Sequence, residues 1–189
     1  MRKEKFNKLK IHYGVNKNTK KSNKKRVSGI NRFAELTAMS EKIFTTQDVA
    51  TIWKIKNRQT LRILLARYVK RGVLHRVWRG LYSTVDPKGI DPLLLGIKIL
   101  HRYAYISCET VLFNAGLINQ RPTEITMVSN VSKRFSLLGN QYRSRKMNDG
   151  ALYDTTGIIL QDGVRMATPD RAKQDMNYFN PKKYYDMSR

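Results

Sequence analysis

The segment from Asn57 to Gly72, NRQTLRILLARYVKRG, constrains the fold more than any other part of the chain. Its apolar side chains recur at the spacing of one helical face, at Leu61, Leu64, Leu65 and Tyr68. Asn57 is a good N-cap, and Gly72 suits the left-handed conformation that ends many helices. The pattern therefore predicts a helix over residues 58–71 that buries this face and exposes the opposite one.

Two shorter helices are predicted before it. Apolar residues at helical spacing follow Ser28, a suitable N-cap, and predict a first helix that runs towards Ser40. Thr45 and Asp48 have the spacing of a capping box, so a second helix is expected from about residue 46 to residue 53. In this arrangement the first two helices would brace the third.

Residues 73–85, VLHRVWRGLYSTV, have the composition of two short strands, because they are rich in branched and aromatic side chains. Arg79-Gly80 is the expected turn between the strands. Three helices followed by such a hairpin predict a winged helix-turn-helix over residues 30–85. The prolines and the glycine between Asp86 and Pro92 interrupt regular structure and mark the expected linker.

The rest of the chain, residues 86–189, predicts a small mixed α+β domain. Helices are expected over about 92–101 and 108–115, and Thr168-Pro169 opens a last helix. Strands are expected over about 124–129, 141–146, 157–160 and 164–167. Arg171 and Asp175, four residues apart on the last helix, are expected to form a surface ion pair. The expected fold class is α+β, with an N-terminal winged helix-turn-helix followed by this domain.

The charge of the chain points to a polyanionic partner. The chain has 37 Lys+Arg, 14 Asp+Glu and a formal net charge of +23. Residues 1–29 hold 11 basic residues and one acidic residue, residues 30–85 hold 11 and three, and residues 86–189 hold 15 and ten. Because the excess lies mainly before residue 86, we expect a flexible basic arm over residues 1–29 and double-stranded DNA, rather than a membrane, as the partner.

The sequence also limits location and chemistry. No apolar run follows the basic start closely enough for a secretory signal, and the apolar stretch 92–100 is too short to span a bilayer, so a cytoplasmic protein is expected. Cys108, the single cysteine, excludes an intramolecular disulfide and is expected to be buried. The three histidines lie in separate segments, and we expect no metal and no cofactor.

The face of the 58–71 helix opposite its apolar stripe carries side chains that recognise bases. Arg and Gln make bidentate contacts with guanine and adenine, and an exposed isoleucine can contact a thymine methyl group. The residues on or beside this face are Gln59, Arg62, Ile63, Arg67 and Lys70. The hairpin adds Arg76 and Arg79 for phosphate or minor-groove contacts. The alternative interpretation is an ordinary solvated helix surface.

Four segments of the chain resemble a known family. They are IFTTQDVATIW (43–53), RQTLRILLARYVKRGVLHRVWRGLYST (58–84), AYISCETVLFNAGLINQRPTEITMVS (104–129) and MATPDRAKQD (166–175). In this order they resemble the transcriptional regulator and antitoxin of AbiE-type abortive-infection systems, which are type IV toxin-antitoxin systems. The resemblance covers roughly residues 35–180.

The resemblance implies a function for each half of the chain. The N-terminal domain would repress the protein's own operon at inverted repeats, and the C-terminal domain would counteract a co-encoded nucleotidyltransferase-like toxin. The resemblance also implies that Thr45 and Thr46 open the second helix, that the recognition helix runs from Arg58 to Arg71, and that Arg79-Gly80 is the turn of the wing. Thr46, Gln47 and Arg58 therefore join the expected DNA contacts.

A second basic surface is a further candidate site. Its expected members are Lys133, Arg134, Arg143 and Arg145, with Arg121 and Lys146. In a strand, Arg143 and Arg145 share one face, where they would contact DNA phosphates, the toxin or the toxin's RNA substrate. A solvated sheet face is the favoured interpretation of this pair.

Two other function classes remain open. Asp149, Asp154 and Asp162 would hold Mg²⁺ in a metal-dependent nuclease that carries a DNA-binding domain, although Asp162 also fits a hairpin turn. A non-enzymatic RNA-binding protein would instead use the basic arm. The sequence contains no phosphate-binding loop, no nucleophile elbow and no indicated partner for Cys108, so we expect no catalytic residues and no enzyme.

Overall fold

The structure is a computed structural model that describes residues 29–181. These residues form a mixed α+β fold, as the sequence predicts, with seven α-helices and two sheets. The expected basic arm, residues 1–29, lies outside the described residues except for Gly29.

The first half of the described chain combines three helices with a three-stranded sheet. Its elements are α1 (Gly29–Thr37), β1 (Ile43–Thr45), α2 (Thr46–Ile52), α3 (Arg58–Lys70), β2 (His75–Trp78) and β3 (Leu81–Ser83). β3 lies between β1 and β2 and is antiparallel to both. The three helices and the hairpin lie where the sequence predicts them, whereas the short strand β1 was not predicted.

Side-chain caps fix the beginnings of α2 and α3. The Thr45 hydroxyl accepts a hydrogen bond from the Asp48 N–H at 3.1 Å, and the Asp48 carboxylate accepts one from the Thr45 N–H at 2.7 Å. Asn57 Oδ1 accepts from the Thr60 N–H at 3.0 Å. Gly72, with a φ of +69°, follows the end of α3. The predicted capping box and N-cap are therefore confirmed.

The first core lies between α1, α2 and α3. Its fully buried side chains include Leu36, Phe44, Val49, Leu61 and Leu65. Tyr68 packs beside Trp53, whose indole N–H donates to the Arg32 carbonyl at 2.8 Å and so ties α2 to α1. Leu64, the fourth member of the predicted stripe, is only half-buried.

The second half is a six-stranded sheet with helices on both faces. Its elements are a 3₁₀ turn (Pro87–Gly89), α4 (Pro92–Ile99), β4 (Ala104–Ile106), α5 (Glu109–Asn114), β5 (Ile125–Ser129), β6 (Lys133–Leu137), β7 (Asn140–Lys146), α6 (Asp149–Leu152), β8 (Ile158–Gln161), β9 (Val164–Ala167) and α7 (Pro169–Phe179). The strand order is β6-β7-β5-β4-β9-β8, and the pairs β5/β7 and β4/β9 are parallel. Of these elements, the 3₁₀ turn, β4, β6 and α6 were not predicted.

Two residues of β7, Tyr142 and Arg145, show which helices cover each face of the sheet. Tyr142 and Arg145 lie on opposite faces of the sheet because they are separated by an odd number of positions. The Tyr142 ring packs against Gly96 of α4, where a Cβ atom would come within 2.8 Å of the ring. Arg145 contacts Glu109 of α5 and Phe179 of α7. Thus α4 covers one face of the sheet, and α5 and α7 cover the other.

A separate apolar cluster joins the two halves. Its buried members are Ile43, Val77 and Leu81 from the first sheet, with Ile90, Leu95 and Ile99 from the segment that follows. The Trp78 ring also packs on the Phe135 ring of β6, with 5.8 Å between their centroids. The expected linker therefore contains a buried residue, and the two halves are in direct contact.

A buried ion pair anchors α7, so the expectation of a surface pair was wrong. Arg171 is 6% exposed and Asp175 is 2% exposed, and Arg171 Nε donates to Asp175 Oδ1 at 2.9 Å. The spacing of four residues was correct, but spacing alone does not tell which side of a helix faces a sheet. Here that side faces β4, because the Ser107 hydroxyl donates to Asp175 Oδ2 at 2.6 Å.

The remaining donors of Arg171 are also satisfied. Its Nη2 donates to the Tyr105 hydroxyl at 3.0 Å, and burial raises the pKa of that hydroxyl, which keeps it neutral. Its other guanidinium hydrogen bonds reach the backbone carbonyls of Ala151 (3.0 Å), Asp154 (2.8 Å) and Thr156 (2.7 Å). One side chain thus links α7, β4 and the loop before β8.

We expect Arg171→Met to lower the free energy of unfolding by about 3–5 kcal/mol, because the substitution leaves the Asp175 carboxylate buried without its cation. Urea denaturation followed by circular dichroism measures this change. Lys173→Met is the control, because Lys173 lies on the same helix and pairs at 3.8 Å with Asp170, which is 90% exposed. The control should change stability by less than about 0.5 kcal/mol. Equal effects of the two substitutions would contradict the anchoring role.

Candidate nucleic-acid interface

α3 turns a basic face towards solvent. The exposed residues on this side of the helix are Arg58, Gln59, Arg62, Ile63, Ala66, Arg67 and Lys70. Ile63 is 44% exposed although it is a large apolar residue. The burial of Leu61 and Leu65 fixes this orientation, since residues on the opposite side of a helix must then face outward.

Among the residues that the structure describes, no carboxylate forms an ion pair with the cations around α3. Between Asp48 and Asp86 the sequence has nine Lys or Arg residues and no acidic residue. The Asp48 carboxylate itself accepts the hydrogen bond that caps α2. Within residues 29–181, every ion pair involves a cation that lies outside this segment. The surface around α3 therefore carries uncompensated positive charge, which attracts polyanions.

A cleft of about 760 Å³ lies between α2 and the beginning of α3. It brings together four of the expected contact residues, Thr46, Gln47, Arg58 and Arg62. It also contains Lys54 and Lys56, which sequence reasoning missed. Their position in the turn between two predicted helices was the available signal, because a basic turn beside a basic helix extends the same surface.

Backbone contacts hold the hairpin turn beside α2. The Thr46 N–H donates to the Gly80 carbonyl at 2.9 Å, and the Thr46 hydroxyl donates to the same oxygen at 3.3 Å. Gly80 has a φ of +76°, a conformation that glycine adopts without strain. On the other side, His101 Nε2 lies 3.2 Å from the Arg79 carbonyl oxygen. The exposed Arg79 side chain thus projects from a turn fixed at the edge of the cleft.

The strand register gives the position of Arg76. Arg76 pairs with Tyr82, and Tyr82 pairs with Phe44, so the three side chains share one face of the sheet. Phe44 and Tyr82 pack in the first core with α3, and the exposed Arg76 therefore lies on the α3 side of the sheet. Trp78, by contrast, packs on Phe135 in the second half.

The four main residues of the expected second basic surface have different surroundings. Arg145 is 9% exposed, forms an ion pair with Glu109 and lies 5.4 Å from the Phe179 ring. The expectation of a solvated sheet face was therefore wrong for Arg145, because α5 and α7 cover that face. Arg143 lies on the same face of the sheet as Arg145 and is half-buried.

Lys133 and Arg134, the two of these residues that lie on β6, are exposed but contact other side chains of the protein. Lys133 Nζ lies 5.7 Å from the Trp78 ring and 5.3 Å from the Phe135 ring, at the junction of the two halves. Arg134 Nε lies 3.0 Å from Glu124 Oε1. Lys133 and Arg134 alternate across the strand, so they face opposite sides of the sheet.

The aspartates considered for a nuclease have local structural roles. Asp149 begins α6, and Asp162 lies in the β8–β9 turn with a φ of +48°. Asp154 accepts a hydrogen bond from the Thr156 N–H at 2.9 Å, and this bond lowers the pKa of Asp154. Among residues 29–181, no group of three or more His, Cys, Asp or Glu side chains is arranged to hold a metal ion. Cys108 is buried as predicted, and burial raises the pKa of its thiol to about 12.

No protein-family model matches the chain, and no curated protein matches it in sequence. Among the described residues, no helix combines the length and apolar character needed to cross a membrane.

Two substitutions on α3 test which face is buried. Leu65→Ala should lower the free energy of unfolding by about 2–5 kcal/mol, because it leaves a cavity in the first core. Ile63→Ala should change it by less than about 0.5 kcal/mol, because Ile63 faces solvent. Urea denaturation of the two variants provides the comparison. If Ile63→Ala proves as costly as Leu65→Ala, the orientation of α3 is wrong.

Proposed function

We propose that residues 30–85 act as a winged helix-turn-helix that binds double-stranded DNA in a sequence-specific manner. The observation that carries the proposal is the exposed face of α3, which combines Gln59, Arg62 and Arg67 with the apolar Ile63 and forms no ion pair within residues 29–181. Ile63, 44% exposed, adds an apolar contact among these cations. A helix that enters the major groove uses such a side chain against thymine methyl groups.

In the proposed complex α3 lies in the major groove. Gln59, Arg62 and Arg67 contact base edges, because amide and guanidinium groups match the paired donors and acceptors of adenine and guanine. Lys54 and Lys56 contact phosphates, since their cleft adjoins the beginning of α3. Thr46, Gln47, Arg58 and Lys70 extend the same surface.

The hairpin serves as the wing in this proposal. Arg76 and Arg79 are exposed, and the turn between β2 and β3 has only two residues, Arg79 and Gly80. So short a turn, tied by its backbone to Thr46, favours contacts with the flanking phosphates over deep insertion into the minor groove.

We further propose that the protein represses its own operon and is the antitoxin of a type IV toxin-antitoxin system in the cytoplasm. The proposal rests on the resemblance of the four sequence segments to the AbiE-type family. The corresponding operator would contain inverted repeats, and the second half would counteract a co-encoded nucleotidyltransferase-like toxin. Two of the segments, 104–129 and 166–175, coincide with β4, α5, β5 and the buried pair on α7. The protein would act without catalysis and without a cofactor.

Arg67→Ala tests base recognition. The variant should bind operator DNA more weakly by about 1–3 kcal/mol and a shuffled duplex almost as tightly as the unmodified protein does, because a base contact is lost. Lys54→Ala should weaken both complexes alike. It should also reduce the slope of log affinity against log salt concentration by about one, as expected for the loss of a phosphate contact. Fluorescence anisotropy at several salt concentrations measures both effects.

Arg134→Ala is the control, because Arg134 lies on β6 and pairs with Glu124. It should bind both duplexes as the unmodified protein does. An Arg67→Ala variant that keeps full affinity and full discrimination would overturn the assignment of α3 as the recognition helix.

Co-expression tests the proposed antitoxin role. The protein, expressed from an independent promoter, should restore growth to cells that produce the neighbouring nucleotidyltransferase-like toxin. Arg67→Ala should restore growth equally well, because neutralisation is assigned to the second half. Continued toxicity at verified expression of the unmodified protein would refute the antitoxin role while leaving the DNA-binding proposal standing.

A further inference from the structure

Two arginines in the second half have no partner among the described residues, and both line one cleft. Of the six cations in the expected second basic surface, Arg134 and Arg145 are paired with carboxylates, and Lys133 lies over two aromatic rings. Arg121 and Arg143 form neither an ion pair nor a hydrogen bond within residues 29–181. Both line a cleft of about 510 Å³ beside the loop 117–124.

The cleft is lined by two arginines and two glutamates, and each glutamate is already paired with an arginine that lies outside the lining. Glu109 is bonded to Arg145, and Glu124 is bonded to Arg134 at 3.0 Å. Neither of those arginines lines the cleft, so each glutamate is neutralised from outside. The guanidinium groups of Arg121 and Arg143 are left uncompensated. Two guanidinium groups around one cavity favour an anion with several acceptor oxygens, such as a phosphate.

The size and lining of the cleft indicate a ligand that carries an organic group as well as a phosphate. Clefts of about 300–1,000 Å³ hold small organic ligands. Ile118 and Pro122 provide an apolar wall, and Asn119 and Gln120 provide amide donors and acceptors. A planar ring with a hydrogen-bonding edge fits such a wall, since amides recognise base edges by paired hydrogen bonds. Phosphate, apolar surface and hydrogen-bonding edge occur together in nucleotides.

We propose that this cleft binds a mononucleotide. Arg121 and Arg143 hold its phosphate, and the base lies against Ile118 and Pro122 with its edge towards the amides. The site is distinct from the proposed DNA-binding surface, whose residues lie between positions 46 and 79. It does not depend on that function, so either proposal can fail without the other.

Isothermal titration calorimetry on the full chain tests the site with AMP, GMP, CMP and UMP, and with inorganic phosphate and adenosine as separate probes. At least one mononucleotide should bind saturably with a Kd between about 1 μM and 1 mM. Inorganic phosphate and adenosine should each bind at least about tenfold more weakly, because each lacks half of the contacts. Binding is measured near physiological salt, which suppresses diffuse attraction to the basic chain.

Arg143→Gln and Arg121→Gln should each weaken nucleotide binding by about tenfold or more, since each removes a charged contact to the phosphate. Lys146→Gln is the matched control, because Lys146 is an exposed cation on the same strand as Arg143 and lies outside the cleft. Arg121 lies in an exposed loop, so its variant keeps the test valid even if Arg143→Gln disturbs the sheet.

Three outcomes would overturn the proposal. The first is that no mononucleotide binds saturably up to about 1 mM. The second is that inorganic phosphate binds as tightly as every nucleotide, which would make the cleft a simple anion site. The third is that Lys146→Gln weakens binding as much as both arginine substitutions, which would assign the binding to general positive charge.

Discussion

The burial of Leu61, Leu65 and Tyr68 against α1 and α2 determines how the first half of this protein meets its surroundings. Once these side chains form the core, the rotation of α3 is fixed, and its cations, Gln59 and Ile63 must face solvent. The absence of acidic residues between Asp48 and Asp86 then leaves this charge uncompensated. Core packing, rather than any single polar contact, thus presents the surface that we propose for DNA.

The junction between the two halves fixes the position of the hairpin in the same way as the first core fixes α3. The sheet that carries Arg76 and Arg79 packs one face on the α3 core and the other on the apolar cluster shared with α4. Trp78 of the same hairpin packs on Phe135 of β6. In the second half, the Arg171 guanidinium group donates five hydrogen bonds and so orders α7 and the loop before β8. The proposed nucleotide cleft lies elsewhere on the same sheet, beside Arg143.

Sequence alone predicted those features that depend on neighbouring residues. Asn57, the capping box at Thr45 and the turn at Gly80 are local signals, and α2, α3 and the hairpin lie where these signals place them. The strand β6 was missed because a short charged segment becomes a strand only by pairing with β7. The burial of Arg145 and Arg171 was missed for a related reason. Which face of a strand or helix is covered depends on elements that are distant in sequence. The spacing of residues within the element therefore does not predict the covered face.

We propose that the basic surface around α3 recognises a specific DNA sequence. The most direct measurement is the affinity of the full chain for duplex DNA from its own upstream region and for a shuffled duplex of equal composition, by fluorescence anisotropy across a salt series. We expect tighter binding to the upstream duplex, and this preference should persist at moderate salt because base contacts do not release counterions. If both duplexes bind with equal affinity, and both affinities are lost as the salt concentration rises, sequence-specific recognition by this surface is contradicted.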